Sequence, residues 1–373
     1  MKKALLISCF DWYKSRLEPI REILIQRGYE VMILTADYDH INKKTIEVKH
    51  WECTYVKVPR YKKNLSFRRI RSHLFFGRAI GKKLNSIRPD LIYLLVPPNN
   101  TARYCKKYKA KNSEAKIVLD VIDLWPESMP LNKMINSFFI VRMWKKWRDD
   151  CINIADHIVT ECDLYKKSLS VDSQKVTTLH LFKEQSEVER ELVEEIINSR
   201  KSESGLIRFA YLGSMNNIID IDGISEVIRN CIENGLRCEL HAVGKGDSKD
   251  AFISAVQNTG CKVFYYGAVF DEKEKIRILA PCDFAFNMMK TDVSVGLTIK
   301  SIDYFSYGLP IINNIKGDTW ELVENEKLGI NLPEMQYNMG IRDFDHHTIL
   351  SVFNNLFTKQ RFESNVLELI EKV

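Results

Sequence analysis

Val295-Gly296-Leu297-Thr298-Ile299-Lys300-Ser301-Ile302-Asp303-Tyr304-Phe305-Ser306-Tyr307-Gly308-Leu309-Pro310-Ile311-Ile312 is the stretch on which the reading of this chain turns. It predicts a loop, a two-turn helix and a strand. Gly296 loosens the approach to the helix. Gly308 stands where a C-terminal cap glycine would, and Pro310 forbids continuation. Lys300 and Asp303 are three residues apart and share one face near the helix start. N–H groups at a helix N-terminus attract phosphate, and a lysine there adds a full charge. A carboxylate one turn on can accept hydrogen bonds from sugar hydroxyls. Two readings stand side by side: a grip on a nucleotide diphosphate, and an ordinary surface Lys–Asp pair ahead of a Gly-Leu-Pro turn. Spacing by itself favours the second.

The same residues resemble the donor-binding signature of GT-B glycosyltransferases, in particular the retaining family 4 group. Many of its members carry Lys-x-x-Glu/Asp-Tyr-x-x-x-Gly-x-Pro here. The resemblance implies that Lys300 contacts the donor diphosphate and Asp303 the ribose hydroxyls. Gly296, Leu297, Thr298 and Ile299 would complete the donor loop. The commonest form has a glutamate eight residues before the Glu/Asp, and this chain has Val295 there. That places it with the subgroup that relies on lysine.

Working outward, strands and helices alternate in two rounds, which predicts an α/β protein with two doubly wound parallel sheets. In the first round, residues 3–10, 30–35, 91–96, 116–122 and 157–162 read as strands. Residues 15–28, 101–111 and 134–155 read as helices. Residues 183–206 are strongly charged and read as a linker with some helix. The pattern then restarts with strands at 207–212, 237–243, 262–267 and 284–288, a helix at 223–234, and a capping-box spacing at Asp271–Glu274. The expected division is 1–182, linker 183–206, 207–345, and a terminal helical segment 346–373. The second round resembles a GT-B donor domain: Gly213 and Ser214 after its first strand, Ala242-Val-Gly244-Lys-Gly246 at a strand end, and Gly267 and Ala268 before a nucleobase pocket. Ligands in such sheets lie beyond the strand C-termini, and two facing domains would put the site in a cleft.

In the first round, Asp120-Val-Ile-Asp123-Leu-Trp125-Pro-Glu127-Ser128 releases carboxylates at a strand end. Asp-Leu-Trp-Pro-Glu-Ser resembles a motif of bacterial family 4 enzymes of surface-polysaccharide assembly, which makes Asp123 and Glu127 candidate catalytic groups. The alternative is helix capping by the acids and local packing by Trp125. Asp37 and His40 lie on a second strand-end loop as acceptor candidates. Arg16, in the first strand–helix loop, could reach a phosphate, with Ser15 as the helix cap.

At 373 residues two domains are expected, and 45% hydrophobic with 28% charged residues is a soluble globular composition. No apolar run approaches a membrane span, and the N-terminal run breaks at Asp11, too soon for a secretory signal. Nine cysteines without Cys-x-x-Cys spacing read as free thiols in a reducing cytoplasm, not as a metal site. Residues 53–89 hold eleven Lys and Arg and no acid; against a total of +6, the remainder carries a net −5. Phe67, Leu74 and Phe75 are interleaved with these cations. Such a stretch suits an anionic membrane surface along 60–83, or is a solvated helix with its apolar side in the core. No nucleic-acid motif accompanies it.

The resemblance thus implies a retaining transferase. It would move a sugar from a UDP-type donor to a lipid- or polysaccharide-linked acceptor, without metal or cofactor, at the inner face of the plasma membrane. Two other functions stay open: a non-catalytic partner subunit of the same fold, supported by Val295, and a sugar-nucleotide epimerase.

Overall fold

The computed structural model describes the chain apart from residues 49, 51, 64–65, 129–138, 170, 201–202, 292–294 and 334–342. The first part of the expected helix 134–155, and residues 64–65 of the basic stretch, lie outside the described residues. The chain divides into two units, Met1–Leu181 with Phe362–Val373, and Phe182–Arg361.

Unit 1 is built on a seven-stranded parallel sheet. Its strands are β1 (Lys2–Ile7), β2 (Tyr29–Ala36), β5 (Cys53–Val56), β6 (Leu91–Val96), β7 (Lys116–Val121), β8 (His157–Thr160) and β9 (Val176–Thr178). A two-residue ladder, β3 (Tyr38–Asp39) with β4 (Lys44–Thr45), sits apart from it. The order is β5-β2-β1-β6-β7-β8-β9. All six residues of β6, Leu-Ile-Tyr-Leu-Leu-Val, are buried. An unbroken apolar run is what a strand covered on both faces requires, and crossover helices supply the cover. From β1 the chain steps to β2 and β5, then returns to the other side of β1 for β6 to β9. The order therefore reverses between β1 and β6.

Unit 2 repeats the plan with β10 (Leu206–Leu212), β11 (Arg237–Val243), β12 (Lys262–Gly267), β13 (Phe284–Asn287), β14 (Ile311–Asn313) and β15 (Gly329–Asn331). The order is β12-β11-β10-β13-β14-β15, every pair parallel. Here the reversal falls between β10 and β13. In such sheets the crevice for ligands lies outside the strand C-termini at that reversal. The core of this unit is continuous from Phe209 and Phe286, stacked at 4.9 Å, through Ile224, Ile228 and Phe252.

The charged segment 183–206 holds the helix Glu187–Ser199, which begins with a reciprocal capping box between Ser186 and Glu189. Its apolar side is only Val193 and Ile197, both buried, and it belongs to unit 2. The end of the chain is shared out: the helix His346–Leu356 lies in unit 2, and residues from Phe362 onward lie in unit 1. Among the described residues no helix is long and apolar enough to cross a membrane. Among the described residues the nine cysteines form no disulfide, and all but Cys53 are buried.

Candidate functional site

The reversal in unit 2 brings together the loop after β10 and the helix Ile299–Ser306. Tyr304 on that helix fixes the junction: its hydroxyl accepts from Leu212 N at 2.7 Å at the end of β10. The helix start is anchored separately. Thr298 is the N-cap, its Oγ1 accepting from Ser301 N at 3.2 Å. The same hydroxyl donates to Asn287 Oδ1 at 3.0 Å. Asn287 donates to Asn313 Oδ1 at 2.9 Å, and Asn313 to Asn331 Oδ1 at 2.8 Å. These asparagines stand in register at the C-terminal ends of β13, β14 and β15. A ladder of amides, buried at Asn287 and Asn313 and half-buried at Asn331, thus holds Thr298 to the sheet. Gly296 is held on the other side, its carbonyl accepting from Thr319 N and Oγ1, each at 2.8 Å. Gly296, Leu297 and Thr298 are themselves buried, whereas Ile299 is half exposed.

The β10, β11 and β12 ends are laced edge to edge. Gly213 N donates to Val243 O at 3.0 Å, and Gly244 N to Gly267 O at 2.7 Å. A Cβ on Gly244 would meet Gly213 O at 1.9 Å. Glycine at 244 is thus demanded by close approach of two backbones. Ser214 and Ala268 stand exposed beside this floor.

Lys300 lies with its ammonium 5.4 Å from the centre of the Tyr211 ring. Among the described residues no carboxylate pairs with it. Desolvation, uncompensated, pulls its pKa down to about 7. Asp303 is differently placed. Lys183 Nζ donates to its Oδ1 at 2.7 Å, and also to the Tyr307 hydroxyl at 3.0 Å. Lys183 pairs with Glu272 as well, at 2.5 Å, and Tyr307 OH donates to Glu272 Oε1 at 2.6 Å. Burial would raise the Glu272 carboxyl, but Lys183, with hydrogen bonds from Lys275 and Tyr307, outweighs it and holds it at about 2. Lys183 and Glu272 were missed in the sequence. The only signal for Glu272 was the acidic helix start at Asp271–Glu274; Lys183 looked like one charge among many.

In unit 1 the sheet edge carries aromatic rings. Phe10 lies 4.6 Å from the His40 ring, and Arg69 lies 4.6 Å from the centre of the Trp125 ring. Burial, with Arg69 and Lys43 nearby, drives His40 down to about 4. It is neutral at neutral pH. His73 is fully buried beside them and pushed down to about 3 by burial, then by Arg69 and His40. Asp37 accepts from Val58 N at 3.0 Å, tying two loops together. Asp123 is half-buried, its carboxyl raised by burial against hydrogen bonds that include one from Ser128.

Two further candidates of unit 1, Arg16 and Glu127, are held by internal contacts. Arg16 is fully buried. It forks onto Asp120 at 2.8 and 3.1 Å and donates to Leu179 O at 2.9 Å, which makes it an internal strut. Ser15 is not the helix cap: the helix runs Lys14–Gln26 behind Tyr13. Glu127 is held by Arg148 through two bonds of 2.9 and 2.8 Å, and by Lys145. Burial would raise its carboxyl, but these donors hold it below the usual range. It anchors a buried arginine.

The architecture has counterparts among solved structures. The lipopolysaccharide outer core galactosyltransferase WaaB matches over 100% of both chains with a TM-score of 0.64 and 14% identity. Sucrose-phosphate synthase from Thermosynechococcus elongatus matches 100% of this chain and 99% of its own, TM-score 0.66, 11% identity. Anabaena Alr3699/HepE, in complex with UDP and glucose, matches over 100% of both, TM-score 0.65, 11% identity. This is the GT-B fold. Lys300 and Asp303 lie on the helix that follows β13, beside the β10/β13 reversal of this fold. A UDP-GlcNAc 2-epimerase from Methanocaldococcus jannaschii shares the GT-B fold at a lower TM-score of 0.54. No family model matches the sequence, and no curated protein does.

Proposed function

We propose that this chain is a retaining glycosyltransferase that moves a sugar, a hexose or its relative, from a nucleotide diphosphate, UDP first among them, to a lipid- or polysaccharide-linked acceptor. The setting would be bacterial surface-polysaccharide or glycoconjugate synthesis at the inner face of the plasma membrane. One observation carries the reading: Lys300, a desolvated ammonium with no carboxylate partner among the described residues, stands at the start of a capped helix at the reversal of a GT-B sheet. A cation held there gains most from an incoming dianion. HepE, a structural neighbour, holds UDP and glucose, which supports a nucleotide-sugar donor.

In the proposed reaction the bond from the anomeric carbon to the diphosphate oxygen breaks, and a bond from that carbon to the acceptor oxygen forms on the same face. The acceptor proton passes to a departing phosphate oxygen. Lys300 and the N–H groups of Ile299 and Lys300 take the charge that develops on the diphosphate. Asp303 takes the ribose hydroxyls and Lys183 orients its carboxylate. No metal is called for, because the lysine supplies the charge. Asp123, whose raised pKa suits a group exchanging hydrogen bonds with a hydroxyl, is assigned to the acceptor on unit 1.

The test is donor hydrolysis and transfer by the purified chain, with UDP-, GDP- and TDP-sugars compared by calorimetry. Lys300→Ala is expected to lower turnover about a hundredfold, the worth of one charge-assisted contact of about 3 kcal/mol in the transition state. Unchanged turnover overturns the assignment. A wild-type chain that binds no nucleotide sugar is a partner subunit. One that converts the donor to its C2 epimer without transfer is an epimerase.

A further inference from the structure

The basic stretch of unit 1 folds as the helix Phe67–Ile87, and it does not stand alone. It packs along the helix Asn100–Lys109 through two glycines. A Cβ on Gly77 would meet Asn100 Nδ2 at 2.2 Å, and one on Gly81 the Tyr104 ring at 2.5 Å. Beyond this contact the helices part into a groove of about 650 Å³ lined by Arg78, Lys82, Lys107 and Lys111, with Tyr104 along it and no carboxylate. All four cations are exposed. Among the described residues none has an ion pair.

The contrast with their neighbours is informative. On the helix Asn100–Lys109, Lys106 pairs with Asp150 at 3.2 Å and Lys109 pairs with Asp156. Acids thus answer Lys106 and Lys109 and Arg103 lies over the Tyr104 and Trp147 rings, while Lys107 in the groove has no ion pair among the described residues. On the helix Phe67–Ile87, Arg71, Phe75, Arg78 and Lys82 follow at spacings of four, three and four, so they form one stripe. Phe75 is 42% exposed, with Arg71 over its ring at 5.5 Å.

We infer that this groove is a binding site for the phosphate head group of an anionic lipid, with Phe75 meeting the acyl boundary. Four uncompensated cations on a rigid two-helix frame attract phosphate, and an exposed phenylalanine in the same stripe is costly in water and favoured at a bilayer interface. The inference rests on the membrane setting proposed above. It adds two residues, Lys107 and Lys111, that lie outside the basic stretch of the sequence.

The full chain is sedimented with vesicles of phosphatidylcholine, alone or with 30% phosphatidylglycerol (a test composition, on the order of that in anionic membranes). Binding is expected only with the second. Lys107→Gln with Lys111→Gln, and Arg78→Gln with Lys82→Gln, should each weaken partition about 30-fold, at roughly fivefold per cation. Arg60→Gln with Lys62→Gln, an equal loss of charge outside the groove, should weaken it much less. If that control costs as much as the groove pairs, binding is diffuse attraction: the groove is overturned and the membrane setting stands. If wild type ignores anionic vesicles, both fall. If a 20-nucleotide single strand binds more tightly, with the same dependence on the four cations, the lipid assignment is overturned in favour of nucleic acid. Donor hydrolysis, read in parallel, should be unchanged in every variant, which reports on the transferase reading separately.

Discussion

Two desolvated cations, Arg16 fully buried and Lys300 partly exposed, show how differently a protein can treat a charge. Arg16 is fully enclosed and fully answered: Asp120 accepts from it twice, and Tyr93 OH donates to the same carboxylate at 2.8 Å. Lys300 is desolvated and unanswered by any described carboxylate, so its proton is loosely held. The folded chain binds that proton less tightly than the unfolded chain, whose lysine titrates near its ordinary value of 10.5. The sign follows from linkage: the unfolded state holds more protons between about pH 7 and 10.5, so this group costs stability below pH 7 and the cost disappears as pH rises through that window. Lys300→Met should therefore raise the melting temperature of the ligand-free protein at pH 7, an unusual outcome for loss of a site residue. On the proposed function, a diphosphate bound beside Lys300 would restore its charge. Donor affinity should be flat below pH 7 and fall about tenfold per pH unit above it, with proton uptake seen by calorimetry in buffers of different ionisation enthalpy. Pairing of Lys300 with a carboxylate would remove both effects.

At the scale of elements, the loops after β10, β11 and β12 in unit 2 depend on backbone approach. Gly244 and Gly267 both have positive φ, 144° and 72°. Only Gly244 is also crowded, with Gly213 O where a Cβ would go; nothing lies within 4 Å of one on Gly267. Gly267→Ala should cost about 1 kcal/mol, the strain of a left-handed residue. Gly244→Ala adds a backbone clash and should cost roughly 3 kcal/mol or more, lowering the melting temperature by roughly 6–12 °C. Equal shifts in the two variants would refute the crowding argument. These glycines, like Lys300 and the helix around it, were legible because each signal is local. Central strands such as β6 were legible because a doubly covered strand is apolar throughout, whereas the short edge strands β5, β9 and β15 were not. The helix Glu187–Ser199 was not, since two buried residues in thirteen are a faint stripe in a charged segment. Nor was the asparagine ladder: Asn287, Asn313 and Asn331 each look like a turn residue after a short strand, and only sheet order makes them neighbours. Lys183 with Asp303, and Arg16 with Asp120, are 120 and 104 residues apart, distances at which no periodicity operates.

The whole chain crosses between its units at 181/182 and again at 361/362, the second time inside the helix Lys359–Glu371. The first residues of that helix therefore belong to unit 2 and the rest to unit 1. Its unit 1 part buries Phe362, Val366 and Leu369, and Glu371 pairs with Arg27 at 2.8 Å. Phe362 also lies 5.4 Å from the Arg16 guanidinium, against the Arg16–Asp120 strut. The exposed Arg27–Glu371 pair contributes little. The three apolar side chains matter more, at about 1.5–3 kcal/mol each, or roughly 5–9 kcal/mol together as an upper estimate. That is comparable to the whole stability of an ordinary domain. Ending the chain after Arg361 should therefore loosen unit 1, although the residues removed lie more than 170 positions from the end of its sheet. Hydrogen exchange is the measurement, because it reads each unit separately. Protection should fall in β1, β2 and β6, while β10 and β11 keep theirs and still gain protection when UDP is added. Loss of protection spread evenly over both sheets would mean that the terminal residues stabilise the molecule as one cooperative body and not unit 1 through its own core.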